Sequence, residues 1–253
     1  MKILVIPDVH GRTFWRETVK RDDVGRVVFL GDYHDPYRFD GIKTSDSVTN
    51  FSDILSYADR SSDRVVMLLG NHDLPYFSKH YLSLSRYHSR YDRENHERME
   101  EMFESHKDRF RIAYCEGGVL FTHAGVIPEW FRKATGAEFS EGTDLYEAAG
   151  LLNTLLDTDR GIESLFSVGE WRGGDDAFSS CVWADIHETV MEYDDKDNPA
   201  YGVKQVFGHT IQGYYGEDGQ VRYGKPFEFA NLKMLDTACA YILDTDNFTI
   251  EKT

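Results

Sequence analysis

Five short motifs rich in histidine and acidic residues occur in a fixed order along the chain, and each follows a run of apolar residues. The motifs are Asp8-Val9-His10-Gly11, Gly31-Asp32-Tyr33-His34-Asp35, Gly70-Asn71-His72-Asp73, His123-Ala124-Gly125 and Gly208-His209-Thr210. Polar side chains that follow buried strands collect at one edge of a sheet. The pattern therefore predicts a sheet that carries a cluster of oxygen and imidazole groups at that edge.

The apolar runs before the motifs predict the strands of this sheet. They cover 3–6, 27–30, 65–69, 119–121 and 203–207. Each run is too short for an independent helix and is rich in the aliphatic residues of strands covered on both faces. Glycine follows three of the runs, where it ends the strand and lets backbone approach a ligand closely.

The residue types in the motifs predict a centre of two divalent metal ions. Two dications about 3.5–4 Å apart need an anion between them, and Asp32 is the natural bridge. Asp8 and His10, two positions apart, can reach one ion. The other ion takes three neutral ligands, Asn71, His123 and His209. These mixed donors suit Mn, Fe, Zn or Co, and the sequence does not choose among the four metals.

Each of these residues alone has an ordinary alternative, because a single Asp or His at a strand end is more often a cap or a turn former than a ligand. Six such residues at the ends of five separate apolar runs are much harder to explain by coincidence. The joint pattern therefore favours metal binding.

With these motifs the chain resembles the calcineurin-like metallophosphoesterases, and among them the branch of prokaryotic serine/threonine protein phosphatases and symmetrical diadenosine tetraphosphatases. Segment 180–185 is similar to a Trp-bearing segment before the last ligand histidine, and segment 234–241 is similar to the closing strand pair of that group. The resemblance implies an α/β, four-layer fold in which a two-sheet β-sandwich is flanked by helices. It leaves segments 79–111 and 128–174 unmatched.

The same resemblance implies hydrolysis of phosphate esters or anhydrides by water or hydroxide that bridges two metal ions. His72 would be the proton donor, oriented by Asp35, whose carboxylate raises the imidazole pKa and sets its tautomer. The implied ligands of one ion are Asp8, His10 and Asp32, and those of the other are Asp32, Asn71, His123 and His209.

The arginines that clamp phosphate in phosphoprotein phosphatases are missing from their usual positions. Pro36 and Tyr37 follow Asp35, where the first clamp arginine would be expected. Between Trp183 and Gly208 the sequence contains two lysines, Lys196 and Lys204, but no arginine. Arg12, Arg38 and Arg172 are the predicted substitutes and Arg86 is a further candidate, although each arginine more often belongs to the solvated surface. Residue 211 is isoleucine, so the extra ligand histidine of the related nucleases is absent.

The predicted activity is that of a phosphomonoesterase similar to protein phosphatases, or of a nucleotide phosphatase. Its substrate would be a phosphorylated small molecule, a nucleotide or a phosphoprotein. A phosphodiesterase or nuclease, and a non-catalytic metal-binding scaffold, stay open as alternatives. A scaffold would not need a proton donor, so the presence of His72 and Asp35 disfavours it.

Size and charge bound the remaining possibilities. A chain of 253 residues with motifs from Asp8 to His209 predicts a single catalytic domain over 1–253, because any cut would separate the ligands. The net charge of −16 disfavours nucleic acid as a partner. No apolar stretch is long enough to span a membrane. Three widely spaced cysteines predict free thiols and a cytoplasmic location. The oligomeric state is unknown.

The unmatched segments allow coarser predictions. Residues 79–110 read as helices whose aromatic stripe is a packing face, and 145–156 reads as another helix. Residues 169–174, with two glycines after an aromatic residue and an arginine, are either a loop at the mouth of the site or an ordinary turn.

Overall fold

The computed structural model describes residues 1–78, 90–194, 196–198 and 200–253. Its strands are β1 (Lys2–Ile6), β2 (Arg26–Phe29), β3 (Val65–Leu68), β4 (Phe110–Arg111), β5 (Tyr114–Glu116), β6 (Val119–Phe121), β7 (Gln205–Phe207), β8 (Gly213–Tyr215), β9 (Val221–Tyr223), β10 (Phe227–Phe229), β11 (Leu232–Met234), β12 (Tyr241–Asp244) and β13 (Thr249–Lys252). Its α-helices are Trp15–Thr18, Thr44–Arg60, Leu74–Phe77, His96–Ser105, Pro128–Thr135, Leu145–Thr154, Asp159–Leu165 and Ile186–Tyr193. Short 3-10 helices cover Arg38–Asp40, Lys107–Arg109, Leu155–Asp157 and Glu170–Arg172.

Two sheets organise these elements. The first has the strand order β13-β12-β1-β2-β3-β4, in which β1 to β4 are parallel and β12 is antiparallel to β1. The second has the order β10-β11-β7-β6-β5, in which β6, β7 and β11 are parallel. Parallel strands end at the same edge of a sheet, so the loops that follow them collect there.

Alternate residues of the central strands pack in different layers. Ile3 and Val5 of β1 pack with Val119 and Phe121 of β6 in a cluster between the two sheets. Leu4, from the same strand, belongs to a larger cluster that contains helix side chains. The layers are therefore helix, sheet, sheet and helix, which confirms the predicted α/β sandwich.

Helix Thr44–Arg60 shows how the outer layers form. It buries Val48, Phe51 and Leu55, which are three and four residues apart and so lie on one face of the helix. These side chains join the same cluster as Leu4 and Phe29, from the outer face of the first sheet. The helix thereby covers the strands that carry the first two motifs.

All five predicted strands are confirmed, and the predicted helix over 145–156 is found as Leu145–Thr154 followed by a 3-10 turn. Within 79–110 the structure describes helix His96–Ser105, while 79–89 lie outside the described residues. The prediction of a closing strand pair over 234–241 is wrong. Strand β11 ends at Met234 in the second sheet and β12 begins at Tyr241 in the first, because the chain crosses between the sheets there.

The cysteines are free thiols, as predicted. Cys115 and Cys181 are buried and Cys239 is partly buried. Among the described residues, no helix is both long enough and apolar enough to cross a bilayer. The cytoplasmic location stays a prediction.

Candidate metal centre

Six side chains from the ends of five strands converge on one place, and none of them is more than 8% exposed. Asp32 is common to two groups whose donor atoms lie within 4.8 Å of one another. One group is Asp8, His10 and Asp32, and the other is Asp32, His123 and His209. The sixth side chain, Asn71, places its Oδ1 3.1 Å from Nε2 of His123. The structure thus brings together all six residues that the motifs selected.

Two glycines let the backbone pass directly beside the carboxylates. A Cβ atom at Gly70 would lie 2.1 Å from Oδ1 of Asp32, and one at Gly208 would lie 2.0 Å from Oδ2 of Asp8. No larger residue fits either position. The space is used by hydrogen bonds, since the backbone N–H of His209 donates to both oxygens of Asp8, at 2.9 and 3.0 Å. Close approach explains why glycine precedes Asn71 and His209.

Four residues of the centre have left-handed backbone, with φ of 45° at His10, 53° at Asp32, 55° at Asp35 and 70° at His209. Such a conformation costs a side-chain-bearing residue on the order of 1 kcal/mol or more, so surrounding contacts must enforce it. One such contact is the 2.7 Å hydrogen bond from the His10 N–H to the Asp32 carbonyl. Strain concentrated here is typical of a functional site.

Backbone carbonyls set the tautomers of two histidines. Nδ1 of His10 lies 2.9 Å from the carbonyl of His34, and Nδ1 of His123 lies 2.8 Å from the carbonyl of Leu30. Because a carbonyl only accepts, Nδ1 carries the hydrogen in both rings and Nε2 presents a lone pair. These two Nε2 atoms lie 3.3 and 3.5 Å from Oδ2 of Asp32.

The converging acceptor atoms fit a metal site. Nε2 of His123 also lies 3.1 Å from Nδ1 of His209. Burial is the main cause that lowers the pKa of both His10 and His209 well below 6.5, so at neutral pH these rings do not hold an extra proton between the acceptors. A cation removes the repulsion among lone pairs and carboxylates, and the mixed donors suit divalent transition metals.

The pKa of Asp32 shows that the protein stabilises a negative charge poorly at this position when no cation is bound. Burial raises the pKa of its carboxyl from 3.8 to about 6, and the nearby Asp8 adds to the rise. His123 and a 2.9 Å hydrogen bond from the backbone N–H of His72 act in the opposite direction. The position predicted to bridge two ions is therefore also one where negative charge is poorly stabilised by the protein alone.

Asp73 is a structural partner of the centre that the sequence reasoning missed. It is fully buried, and its carboxylate accepts hydrogen bonds from the backbone N–H groups of Asp32, Gly70 and Tyr33 at 2.7, 2.8 and 3.0 Å. These bonds tie the loop after β2 to the loop after β3. The sequence feature that could have indicated Asp73 was its place in the third motif, next to His72.

His72 and Asp35 lie together at the edge of the cluster. Nδ1 of His72 is 2.9 Å from Oδ2 of Asp35. The other carboxylate oxygen of Asp35 accepts a 2.5 Å hydrogen bond from the hydroxyl of Tyr76, which in turn accepts one from the backbone N–H of Asp92. Asp35 is thus held from two sides. Tyr76 and Asp92 belong to no motif, so the sequence did not point to them.

Arg90, which the sequence analysis did not select, contacts His72 from the opposite side. Its Nη2 lies 2.8 Å from Nε2 of His72, and its guanidinium carbon lies 3.5 Å from the ring centroid of Tyr37. Arginine only donates, so Nε2 of His72 accepts and the ring hydrogen on Nδ1 faces Asp35. Arg90 lies outside the five motifs, so the sequence pattern did not point to it.

The expectation that Asp35 raises the pKa of His72 is wrong for this state of the protein. Burial, followed by the positive charge of Arg90, lowers the pKa of His72 well below 6.5. These two effects outweigh the carboxylate, so the imidazole is neutral at neutral pH.

Arg172 is the predicted substrate-binding arginine that lines the pocket of the centre. Its Nη2 donates to the hydroxyl of Thr210 at 2.5 Å, and its Nε lies 2.9 Å from Oδ2 of Asp185. It ends the 3-10 helix Glu170–Arg172, directly before a left-handed glycine with φ of 75°. Segment 169–174 therefore forms a loop at the mouth of the site rather than a remote turn.

The other two predicted arginines lie elsewhere. Arg12 is buried rather than solvated. It donates hydrogen bonds to Asp40 at 2.9 Å and to the Tyr223 hydroxyl at 2.7 Å. Arg38 is exposed. Neither is among the described residues that line the pocket, and Arg86 lies outside the part of the chain that the structure describes.

The pocket above the cluster encloses about 450 Å³. Two guanidinium groups, from Arg90 and Arg172, form part of its wall. The polar residues at its base are Asp32, Asn71, His72 and His209. A buried acidic and imidazole cluster thus opens to solvent between two positive charges, an arrangement that suits a phosphorylated ligand.

Comparison with known families agrees with this geometry. The family model described as calcineurin-like phosphoesterase matches residues 1–213. The chain belongs to this family. It is accordingly a hydrolase of phosphate esters, and the metal dependence of the family agrees with the donor cluster. A search of curated protein sequences found no significant match.

The solved structures similar to this phosphoesterase include a cold-active protein-tyrosine phosphatase of a psychrophilic Shewanella species. It has a TM-score of 0.58 and 15% identity, over 99% of this chain and 80% of that chain. Another cold-active protein-tyrosine phosphatase structure has a TM-score of 0.58 and 17% identity, over 99% of this chain and 78% of that chain. At these identities the likeness shows the fold alone.

Proposed function

We propose that this phosphoesterase is a phosphomonoesterase that uses two divalent metal ions. The observation that carries the proposal is the pair of guanidinium groups, from Arg90 and Arg172, in one pocket with His72 and with three of the donor residues, Asp32, Asn71 and His209. A phosphomonoester ends in a dianionic group with three terminal oxygens, whereas a diester offers two. Two arginines beside two cations match the larger charge and the additional acceptor.

Asp8, His10 and Asp32 would hold one ion, and Asp32, Asn71, His123 and His209 the other. The donor types are compatible with Mn, Fe, Zn or Co. Bound there, such ions supply Lewis-acid activation of a phosphoryl oxygen and of the attacking water. The carbonyl-bound tautomers of His10 and His123 already direct their lone pairs at Asp32, so little reorganisation accompanies binding.

Arg90 and His72 would act together. In the structure Arg90 donates a hydrogen bond to Nε2 of His72, and a phosphate dianion would compete for that guanidinium. When Arg90 turns to the phosphate, Nε2 becomes free to face the leaving oxygen, and the nearby anion raises the pKa of the imidazole. Water adds its oxygen to phosphorus, the bond from phosphorus to the ester oxygen breaks, and His72 gives that oxygen a proton.

Arg172 would be the more rigid half of the clamp. Thr210 accepts a 2.5 Å hydrogen bond from its Nη2, and its Nε lies 2.9 Å from the Asp185 carboxylate, so both contacts restrain the guanidinium. Such pre-organisation lowers the entropy cost of binding phosphate. Arg90 keeps its orientation through the ring of Tyr37, a contact that still allows it to rotate toward a substrate.

We further propose a single catalytic domain over 1–253. In support, the donors come from both sheets and from strand ends between Asp8 and His209. The substrate would be a phosphorylated small molecule, a nucleotide or a phosphoprotein. Nucleic acid is a less suitable ligand for a chain with a net charge of −16.

The test is hydrolysis of p-nitrophenyl phosphate by Mn²⁺-loaded protein. His72→Asn should lower kcat by about 100-fold or more, within the range for loss of a positioned acid–base group. Asp32→Asn should lower it at least as much, because it removes the carboxylate proposed to hold both ions. His106→Asn is the control, because this partly exposed histidine hydrogen-bonds the Met102 carbonyl, away from the pocket. Full activity of either site variant would refute the assigned roles.

Two further outcomes would replace the proposal. Faster turnover of bis-p-nitrophenyl phosphate than of the monoester would assign a phosphodiesterase. Stoichiometric binding of Mn²⁺ without turnover of any phosphate substrate would assign a binding scaffold.

A further inference from the structure

A row of aromatic rings leads outward from the arginine end of the pocket. It begins at Tyr37, whose ring lies under the Arg90 guanidinium at 3.5 Å. Phe39 stacks on Tyr37 with the ring centroids 4.8 Å apart, and Tyr215 meets Phe39 edge to face at 6.1 Å. We call Tyr37, Phe39, Tyr215 and the adjacent Tyr214 the aromatic wall.

The outer part of the wall belongs to the hairpin of β8 and β9, which forms a separate two-stranded sheet. Tyr214 and Tyr215 are 67% and 69% exposed, and both line the pocket. Two adjacent aromatic side chains left in water at the rim of a pocket are unlike the scattered apolar residues of an ordinary surface. They offer flat faces and edges to a ring that enters the pocket.

Apart from the tyrosine hydroxyls of the aromatic wall, the same part of the pocket has few groups that could bind a sugar. Beyond the arginines, the described lining includes Ile211, Gly213 and Val221. The hydroxyl of Thr210 is already bonded to Arg172. In the described part of the lining, carboxylate and amide side chains occur only within the donor cluster. A ribose would need free polar partners here, whereas an apolar ring would not.

We propose that the pocket selects phosphomonoesters whose leaving group is a planar aromatic ring bonded to the phosphate through oxygen. The inference rests on the proposed phosphomonoesterase function. Because the wall begins in contact with Arg90, a ring attached directly to a clamped phosphate would reach it at once. In a nucleotide, the ribose would stand between the phosphate and the base.

The reaction consumes one water and releases a phenol and inorganic phosphate. Water bonds to phosphorus, the bond between phosphorus and the aryl oxygen breaks, and that oxygen leaves with the bonding pair and takes up a proton. Phenols have a pKa of about 10, so this oxygen is a weaker base than an alkoxide and needs less help from His72.

The better leaving group would favour aryl substrates in any phosphatase, so the decisive test uses ligands that do not react. Inhibition constants of benzylphosphonate and n-butylphosphonate are measured on Mn²⁺-loaded protein. Wild type should bind the benzyl compound about tenfold more tightly, within the range that stacking on an aromatic side chain supplies. The variant Tyr214→Leu/Tyr215→Leu should lower this ratio to about two.

Tyr146→Leu is the matched control, because Tyr146 is 60% exposed and lines a different pocket. It should retain the tenfold ratio. Inhibition by inorganic phosphate should be equal in all three proteins, which shows that the clamp is intact. A ratio near one in wild type, or an unchanged ratio in the double variant, would overturn the inference.

A substrate comparison separates this inference from the function on which it rests. Phosphotyrosine peptide, phosphoserine peptide and adenosine monophosphate are compared, and the double variant should raise KM mainly for the first. Hydrolysis of all three with an unchanged KM for phosphotyrosine would overturn only the aromatic selectivity, as would a preference for the nucleotide. Preference for bis-p-nitrophenyl phosphate would overturn the phosphomonoesterase assignment as well.

Discussion

Removing the charge of Asp32 should stabilise the metal-free protein, although we expect the same change to lower activity strongly. The carboxyl is 2% exposed, and burial together with Asp8 raises its pKa from 3.8 to about 6. Since one unit of pKa corresponds to about 1.36 kcal/mol, the ionised group lowers stability by about 3 kcal/mol at neutral pH. Asp32→Asn removes this cost. Its amide oxygen can still accept the backbone N–H of His72, and its amide nitrogen can donate to Nε2 of His10.

Thermal unfolding in EDTA measures the effect. For a chain of this size 1 kcal/mol shifts Tm by about 2–4 °C, so at pH 7.5 Asp32→Asn should melt at least about 5 °C above wild type. The folded pKa lies above the unfolded one, so the cost is absent below about pH 4 and complete above about pH 6. The difference in Tm should therefore shrink as the pH falls from 6 to 4.

Saturating Mn²⁺ should reverse the order. Wild type gains stability by mass action, about 4 kcal/mol at 1,000 times Kd, while the variant lacks the carboxylate proposed to bridge the ions. Asp22→Asn is the control, since Asp22 is exposed, and its Tm should match wild type in both conditions. The reasoning is refuted if Asp32→Asn melts below wild type in EDTA at pH 7.5.

Three further changes test the surrounding contacts. Gly208→Ala should weaken Mn²⁺ binding at least tenfold by calorimetry, because its Cβ would lie 2.0 Å from Oδ2 of Asp8. Asp73→Ala should cost about 3 kcal/mol in urea unfolding, because three backbone N–H groups would lose their hydrogen-bond acceptor. Arg90→Ala should lower kcat/KM for p-nitrophenyl phosphate at least tenfold, and in NMR titration it should raise the pKa of His72, which the arginine lowers.

Each of these three predictions has an outcome that would contradict it. Gly150→Ala, at an open helix position, should bind Mn²⁺ as wild type does; equal affinity in Gly208→Ala would show that the backbone can yield. Wild-type stability of Asp73→Ala would mean that the hydrogen bonds of the Asp73 carboxylate contribute little. If the pKa of His72 is unchanged in Arg90→Ala, the Arg90 guanidinium of the wild type does not lie beside His72 in solution.

The sequence alone was sufficient for the five strands that precede the motifs and for the six residues that the structure brings together. Apolar runs of three to five residues mark strands covered on both faces, and a ligand directly after a parallel strand is carried to the shared edge by the strand itself. The glycines before Asn71 and His209 were also readable, because close backbone approach leaves no room for a Cβ. These features are local, so a single sequence displays them.

Only the tertiary structure decided which residues surround the donors. Arg90 and Tyr76 belong to no motif, and the loops around the site bring them against His72 and Asp35. Burial and the Arg90 charge reversed the expected pKa shift of His72, and the neighbours of Arg12 made it a buried structural residue. Such contacts depend on how loops distant in the chain pack together, and the strength of each charge depends on the solvent that packing excludes. Neither the packing of distant loops nor the exclusion of solvent can be predicted from the local pattern of residues.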